Sequence, residues 1–155
     1  MSEKRYYIAY GSNLSVEQMA HRCPDAGIVG KAELTDWRLA FKVHADIVPS
    51  KGSTVPVLVW EISGRDEKNL DLYEGYPRYY VKKELRITMT DLDGKNPQGV
   101  SAMVYVMAEG HDYLQIPMKG YYDVLVKGYE QFGFDPALLK AALDEAKESA
   151  ERGGF

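Results

Sequence analysis

With one cysteine, Cys23, in 155 residues, this chain cannot close an internal disulfide, and it fits a reducing compartment. Histidine is also scarce. His21, His44 and His111 are scattered and hold no metal-ligand spacing with Cys23, so no zinc site and no metal are expected. No apolar run approaches the ~20 residues of a spanning helix, and the opening Met1-Ser2-Glu3-Lys4-Arg5 lacks the apolar stretch of a secretion signal. A cytoplasmic location is therefore expected, with no membrane partner. Positive charge is in the minority, at 19 Lys+Arg against 23 Asp+Glu, and the net charge of −4 gives no general field for nucleic acid. A Walker loop and a G-x-G-x-x-G fingerprint are both missing. So are internal repeats, low-complexity tracts and linkers, which makes residues 1–155 read as one domain.

What is present is enough apolar residue, 45%, to bury a core. Trp37, Leu39, Phe41 and Val43 alternate with Asp36, Arg38, Ala40 and Lys42, the period of a half-buried strand. Val81, Leu85, Ile87 and Met89 alternate with Lys82, Glu84, Arg86 and Thr88 in the same way. Val55 to Ile62 and Val100 to Met107 are almost wholly apolar and read as central strands, while residues 43–54 read as a loop. The polar stretch from Asp91 to Gly99, with its Asp93-Gly94 signal, predicts a hairpin. Met118, Tyr121, Tyr122, Leu125, Val126, Tyr129 and Phe132 follow a helical period, and Asp135-Pro136 supplies an N-cap and first-turn proline for a last helix. The tail from Arg152 to Phe155 reads as frayed. Hairpin-linked strands with helices gathered at the ends predict an α+β fold with a curved, mostly antiparallel sheet or small barrel. Most of the 12 tyrosines fall at core-period positions and are assigned to packing rather than base stacking.

Two places carry candidate chemistry. The first is the exit from the opening strand, where Tyr6-Tyr7-Ile8-Ala9-Tyr10 breaks into Gly11-Ser12-Asn13-Leu14 and Ser15 with Gln18 forms an S-x-x-Q capping pattern. Gly11 permits positive φ, and a strand-turn-helix junction points unpaired N–H groups at one spot, which suits a carboxylate or phosphate. The second is Glu74. A short helix is expected from about Asp66 to Glu74, closed by Gly75 and stopped by Pro77. In it Leu70, Tyr73 and Glu74 share one face, so the carboxylate accompanies Leu and Tyr toward the interior, at a helix end whose dipole disfavours an anion by ~0.3–1 kcal/mol. Spacing alone leaves open the plainer reading of a solvated terminal-turn charge. Ser12 is not in a G-x-S-x-G elbow and has no His-Asp pattern with it.

Together these segments resemble the γ-glutamylcyclotransferase family. Tyr7-Ile8-Ala9-Tyr10-Gly11-Ser12-Asn13-Leu14 is similar to its substrate loop, and Leu70-Asp71-Leu72-Tyr73-Glu74-Gly75-Tyr76-Pro77 to its catalytic segment. Tyr105-Val106-Met107, Pro117-Met118-Lys119-Gly120-Tyr121 and Gly128-Tyr129 follow in the family's order, so the resemblance spans nearly the whole chain. It implies a closed or nearly closed β-barrel flanked by helices, with a cavity at its mouth. It implies Glu74 as general acid/base, Tyr7 to Leu14 as the loop that binds substrate, and Tyr121 as a contact of the bound γ-glutamyl group. Tyr121 also lies on an apolar helix stripe, where packing is its other explanation. The implied reaction cyclises a γ-glutamyl group to 5-oxoproline with loss of an amine and needs no cofactor. The expected partner is a small γ-glutamyl compound, and a homodimer is left open. The family often has serine after the proline matched by Pro117, where this chain has Met118. The alternatives carried forward are a non-catalytic module that binds γ-glutamyl compounds or other carboxylates, and a hydrolase that uses Ser12.

Overall fold

The computed structural model describes residues 4–42 and 44–152; Val43 and the last three residues of the expected frayed tail lie outside them. The chain runs β1 (Arg5–Ala9), α1 (Val16–Arg22), β2 (Gly27–Phe41), β3 (Ala45–Ile62), α2 (Gly64–Glu74), β4 (Tyr80–Met89), β5 (Gln98–Met107), α3 (Lys119–Phe132) and α4 (Pro136–Glu151), with one 3-10 turn at Ser12–Leu14. The five strands form one mixed sheet in the order β2-β3-β1-β5-β4.

β1 is central. It pairs antiparallel with β3, from Arg5 opposite Ile62 to Ala9 opposite Leu58, and parallel with β5 at Tyr7 opposite Met103. β4 then runs antiparallel to β5, with Tyr80 opposite Met107. This topology brings the end of β1, the end of β5 and the start of β4 to one edge of the sheet. Tyr7, Tyr80, Tyr105 and Met107 of the cavity described below are hung from that edge, and α2 and α3 bring Glu74 and Tyr121 to it.

The sheet does not close into the expected barrel. Among the described residues, β2 and the end of β4 are bonded through a single isolated bridge, in which Lys31 and Thr90, just past β4, exchange backbone bonds of 3.0 and 2.9 Å. Alternation along a strand reports which face is buried but not whether the two sheet edges meet, so the pattern could not decide this.

The core fills both faces of β3, where Val55 to Trp60 are all buried, as a continuous apolar run requires. The expected loop at 43–54 is instead mostly strand. Residues 45–49 pair with 37–41 of β2, the register then jumps, and Asp36 turns into positive φ (66°) to accept the Gly52 N–H at 2.9 Å. Lys42, expected on the wet face, is buried and held by Asp46 at 2.8 Å, whose other oxygen accepts the Met107 N–H. α3 comes so close to the 3-10 turn that a Cβ on Gly128 would stand 2.7 Å from Leu14 Cβ. Only glycine allows that approach, and it fixes the turn from behind.

Candidate functional site

β1 delivers Tyr7 and Tyr10 to the sheet edge as buried side chains, and the chain then leaves the sheet through Gly11. Gly11 has φ −121°, so the positive φ that glycine permits is not used. The 3-10 turn makes its first backbone bond from Leu14 N to Gly11 O at 3.0 Å, and the N–H groups of Ser12 and Asn13, ahead of it, open the turn. Ser15 caps α1 by accepting the Gln18 N–H at 3.3 Å, half of the expected box.

The turn is tied on every side. Asn13 donates to Tyr7 Oη at 2.8 Å, its carbonyl accepts Trp60 Nε1 at 3.2 Å, and its side-chain oxygen accepts from the Arg22 guanidinium. The Ser12 hydroxyl meets Tyr73 Oη at 3.3 Å and Arg22 Nη1 at 3.4 Å, while the guanidinium lies 3.5 Å over the Tyr73 ring. Neither hydroxyl neighbour is a base, so Ser12 lacks the activation a nucleophilic serine needs.

α2 is fastened so that its C-terminal end meets this turn. Ser63 and Asp66 form a reciprocal capping box in which the fully buried Asp66 also accepts the Asp25 N–H. Lys82 bridges Glu67 at 2.6 Å and Asp71 at 2.8 Å, and Tyr105 donates to Asp71 at 2.6 Å, so the helix is bonded to the sheet along its length. Gly75 ends it in the left-handed conformation at φ 65°. Of the face expected to turn inward, Leu70 is fully buried but Tyr73 is 47% exposed, stacked under Arg22.

Glu74, half-buried, lines a cavity of about 560 Å³ together with the Gly11–Asn13 turn, Tyr7, Ile8, Tyr10 and Tyr121. Ala9 and Leu14 are buried beside these residues but do not line it. Burial pushes the Glu74 carboxyl up to about 7, against the opposing pull of the Arg22 cation. Burial also raises the Tyr7, Tyr80 and Tyr121 phenols above the usual range, and the Glu74 charge adds to this, so they stay protonated. Tyr121 Oη accepts the Ala45 N–H at 3.0 Å and Tyr80 donates to the Ala45 carbonyl at 2.8 Å. Both hydroxyls are thereby tied to the Ala45 backbone, and both residues line the cavity. Met118 is 82% exposed and off the cavity wall, so the departure noted at that position does not alter the lining.

Sequence reasoning missed Arg22, Tyr80 and Tyr105. Arg22 stands at a helix end seven residues past the cap, with nothing local to tie it to Tyr73 of a later helix. Tyr80 and Tyr105 are brought in by strand pairing alone. Among the described residues, no group of three His, Cys, Asp or Glu side chains is placed to hold a metal ion, and no helix is long and apolar enough to cross a membrane.

A sequence model of the gamma-glutamyl cyclotransferase, AIG2-like family matches residues 7–124. The chain belongs to that family. Among solved structures, a gamma-glutamyl cyclotransferase superposes with a TM-score of 0.72 at 23% identity, covering 90% of this chain and 86% of its own. YkqA from Bacillus subtilis gives a TM-score of 0.73 at 18% identity over 94% of this chain and 55% of its own longer one. An AIG2-like protein from Mus musculus gives 0.54 at 19% identity, covering 72% and 84%. At these identities the likeness is one of fold. No curated protein sequence matches the chain. The family assignment covers both the turn and Glu74, which are 61 residues apart in sequence at Asn13 and meet at one cavity.

Proposed function

We propose that this chain is a γ-glutamylcyclotransferase that closes the γ-glutamyl group of a small amide to 5-oxoproline and releases the amine. The observation that carries the reading is Glu74, a carboxyl pushed up to about 7 on the wall of the cavity that the Gly11–Asn13 turn also lines. The turn's N–H groups take the substrate α-carboxylate, with Tyr121 beside it. This holds the short chain folded, and well-oriented intramolecular attack is worth effective molarities of ~10⁵–10⁸ M.

The substrate's α-amine, as free base, attacks its own γ-carbonyl carbon. A C–N bond forms and the excess proton on that nitrogen passes to the Glu74 carboxylate. The bond from the carbonyl carbon to the departing nitrogen then breaks as Glu74 returns the proton there. An α-amine titrates near ~8 and an ordinary glutamate near ~4.3, so an unshifted carboxylate is a weaker base than the free amine by about 5 kcal/mol. A carboxylate near 7 is weaker by about 1 kcal/mol, which suits it to taking the proton and giving it back. The chemistry as written uses no cofactor. A reducing, cytoplasmic setting suits the lone Cys23, whose thiol burial pushes up to about 12.

Glu74→Gln is expected to stay folded and bind a γ-glutamyl amide while 5-oxoproline release falls by ~10²–10⁴-fold. Release at near wild-type rate from that variant would remove Glu74 from the chemistry. Binding by the wild type with no 5-oxoproline would make the protein a binding module instead.

A further inference from the structure

The cavity is larger than the group proposed to react in it. Its volume of about 560 Å³ falls within the ~300–1,000 Å³ of clefts that enclose drug-sized ligands, whereas a γ-glutamyl group is a single amino acid. With the turn occupied by the α-carboxylate, the remaining wall belongs to the leaving half. Tyr79 is seated there. A Cβ on Gly75 would lie 2.8 Å from Tyr79 Cδ2, so the ring presses on the backbone immediately after Glu74. The Tyr79 and His111 rings pair with centroids 5.8 Å apart, and both line the cavity with Leu72 and Met107. His111 Nδ1 stands 3.0 Å from the Ala108 carbonyl, which can only accept, so that bond holds the imidazole in place. Tyr79 is 64% exposed and Leu72 83%, which makes an apolar and aromatic lip at the cavity rather than a sealed wall.

Charge points the same way. No lysine or arginine is among the described residues that line the cavity, and its one carboxyl is Glu74. A carboxylate on the leaving half would face the Glu74 charge with no lysine or arginine on the described wall to offset it. An uncharged aromatic or branched alkyl group would instead cover Tyr79, Leu72 and Met107.

Resting on the cyclotransferase reading, we propose that Leu72, Tyr79, Met107 and His111 form a leaving-group subsite that selects γ-glutamyl amides of apolar or aromatic amines over γ-glutamyl amino acids. Tyr79 is its specificity-determining side chain. The test compares 5-oxoproline release from γ-glutamylbenzylamine, γ-glutamylmethylamine and γ-glutamylphenylalanine by the wild type and by Tyr79→Ser. The benzylamine and phenylalanine compounds carry the same ring and differ by the carboxylate. The wild type is expected to give kcat/KM about tenfold higher for the benzylamine compound, and Tyr79→Ser to lower the benzylamine-to-methylamine ratio about tenfold. Equal or faster use of γ-glutamylphenylalanine, or an unchanged ratio in Tyr79→Ser, overturns the proposal.

Glutarylbenzylamine and glutarylphenylalanine lack the α-amine and cannot cyclise, so their binding, measured by calorimetry, separates the subsite from the reaction. Tighter binding of the former, with no 5-oxoproline from any glutamyl compound, would keep the subsite and remove the cyclotransferase reading. Equal binding of the two overturns the subsite.

Discussion

Glu74 is held where its neutral form is favoured, and that preference acts on stability as well as on chemistry. Its folded value, about 7, lies above the ordinary ~4.3 of an unfolded chain, so between those values the folded state binds the extra proton. Stability from this group is fully present below about pH 4 and is lost as pH rises through 7. Glu74→Gln, which is neutral throughout, is therefore expected to match the wild type in urea denaturation at pH 4 and to exceed it by about 1–2 kcal/mol at pH 8.5, after discount for the group's partial exposure. Destabilisation at the higher pH would mean that the carboxylate has a partner in the fold. Arg22 supplies the opposing cation while it grips Ser12 and Asn13. In Arg22→Gln the carboxyl loses that pull, so the acid limb of kcat/KM is expected to move to higher pH. A lower rate at every pH with an unmoved limb would leave Arg22 a structural tie only.

At the scale of elements, α2 sets the position of Glu74 and its first turn is the most exacting part. Asp66 is fully buried, completes the capping box and accepts from Asp25, so Asp66→Ala strands donors on two segments. A loss of about 1–3 kcal/mol in urea denaturation is expected, and a loss below about 0.5 kcal/mol would show that water replaces the carboxylate. Gly128→Ala instead pushes α3 off Leu14 and moves the turn, so it is expected to raise KM for a γ-glutamyl amide more than it lowers kcat.

The helices were legible where their ends are written locally: Ser15, Gly75 and Asp135 with Pro136 cap as their residue types predict, whereas Ser63 starts α2 at Gly64, two residues ahead of the expected Asp66, and Gly133 closes α3 without having been singled out. The strand at 45–54 was not. Ser50, Lys51, Gly52 and Ser53 carry turn chemistry, and only pairing with β2 makes their neighbourhood a strand. The first half of β2 was missed for the same reason, since Gly27 and Gly30 interrupt its alternation.

At the scale of the molecule, one residue of the candidate pair was readable by position and the other by conflict. The turn stood out because glycine, serine and asparagine follow a strand directly, and Glu74 because an acid sat at the wrong end of a helix on an apolar face. The aromatic remainder of the wall was not readable, because it is collected from β4, β5 and the segment after β5 by sheet order alone. Openness of the sheet was unreadable too, and it has a measurable sign. The Lys31 and Thr90 amides, bonded only across an isolated bridge, are expected to exchange with solvent far sooner than those of Ile8 and Val59 in the central pairing. Equal protection would mean that the two outer strands are joined as firmly as a closed barrel requires.

The parallel seam between β1 and β5 joins Tyr7 to Met103 across most of the chain. Such distant partners are slow to meet, since a long loop must close before any contact rewards it. During synthesis the Tyr7 to Asn13 segment emerges before β5 and Tyr121, and it has no cavity to line until they have followed. Competence to hold a ligand thus waits on β5 and α3, and a ligand added to refolding protein is expected to act after the sheet has formed rather than to guide it.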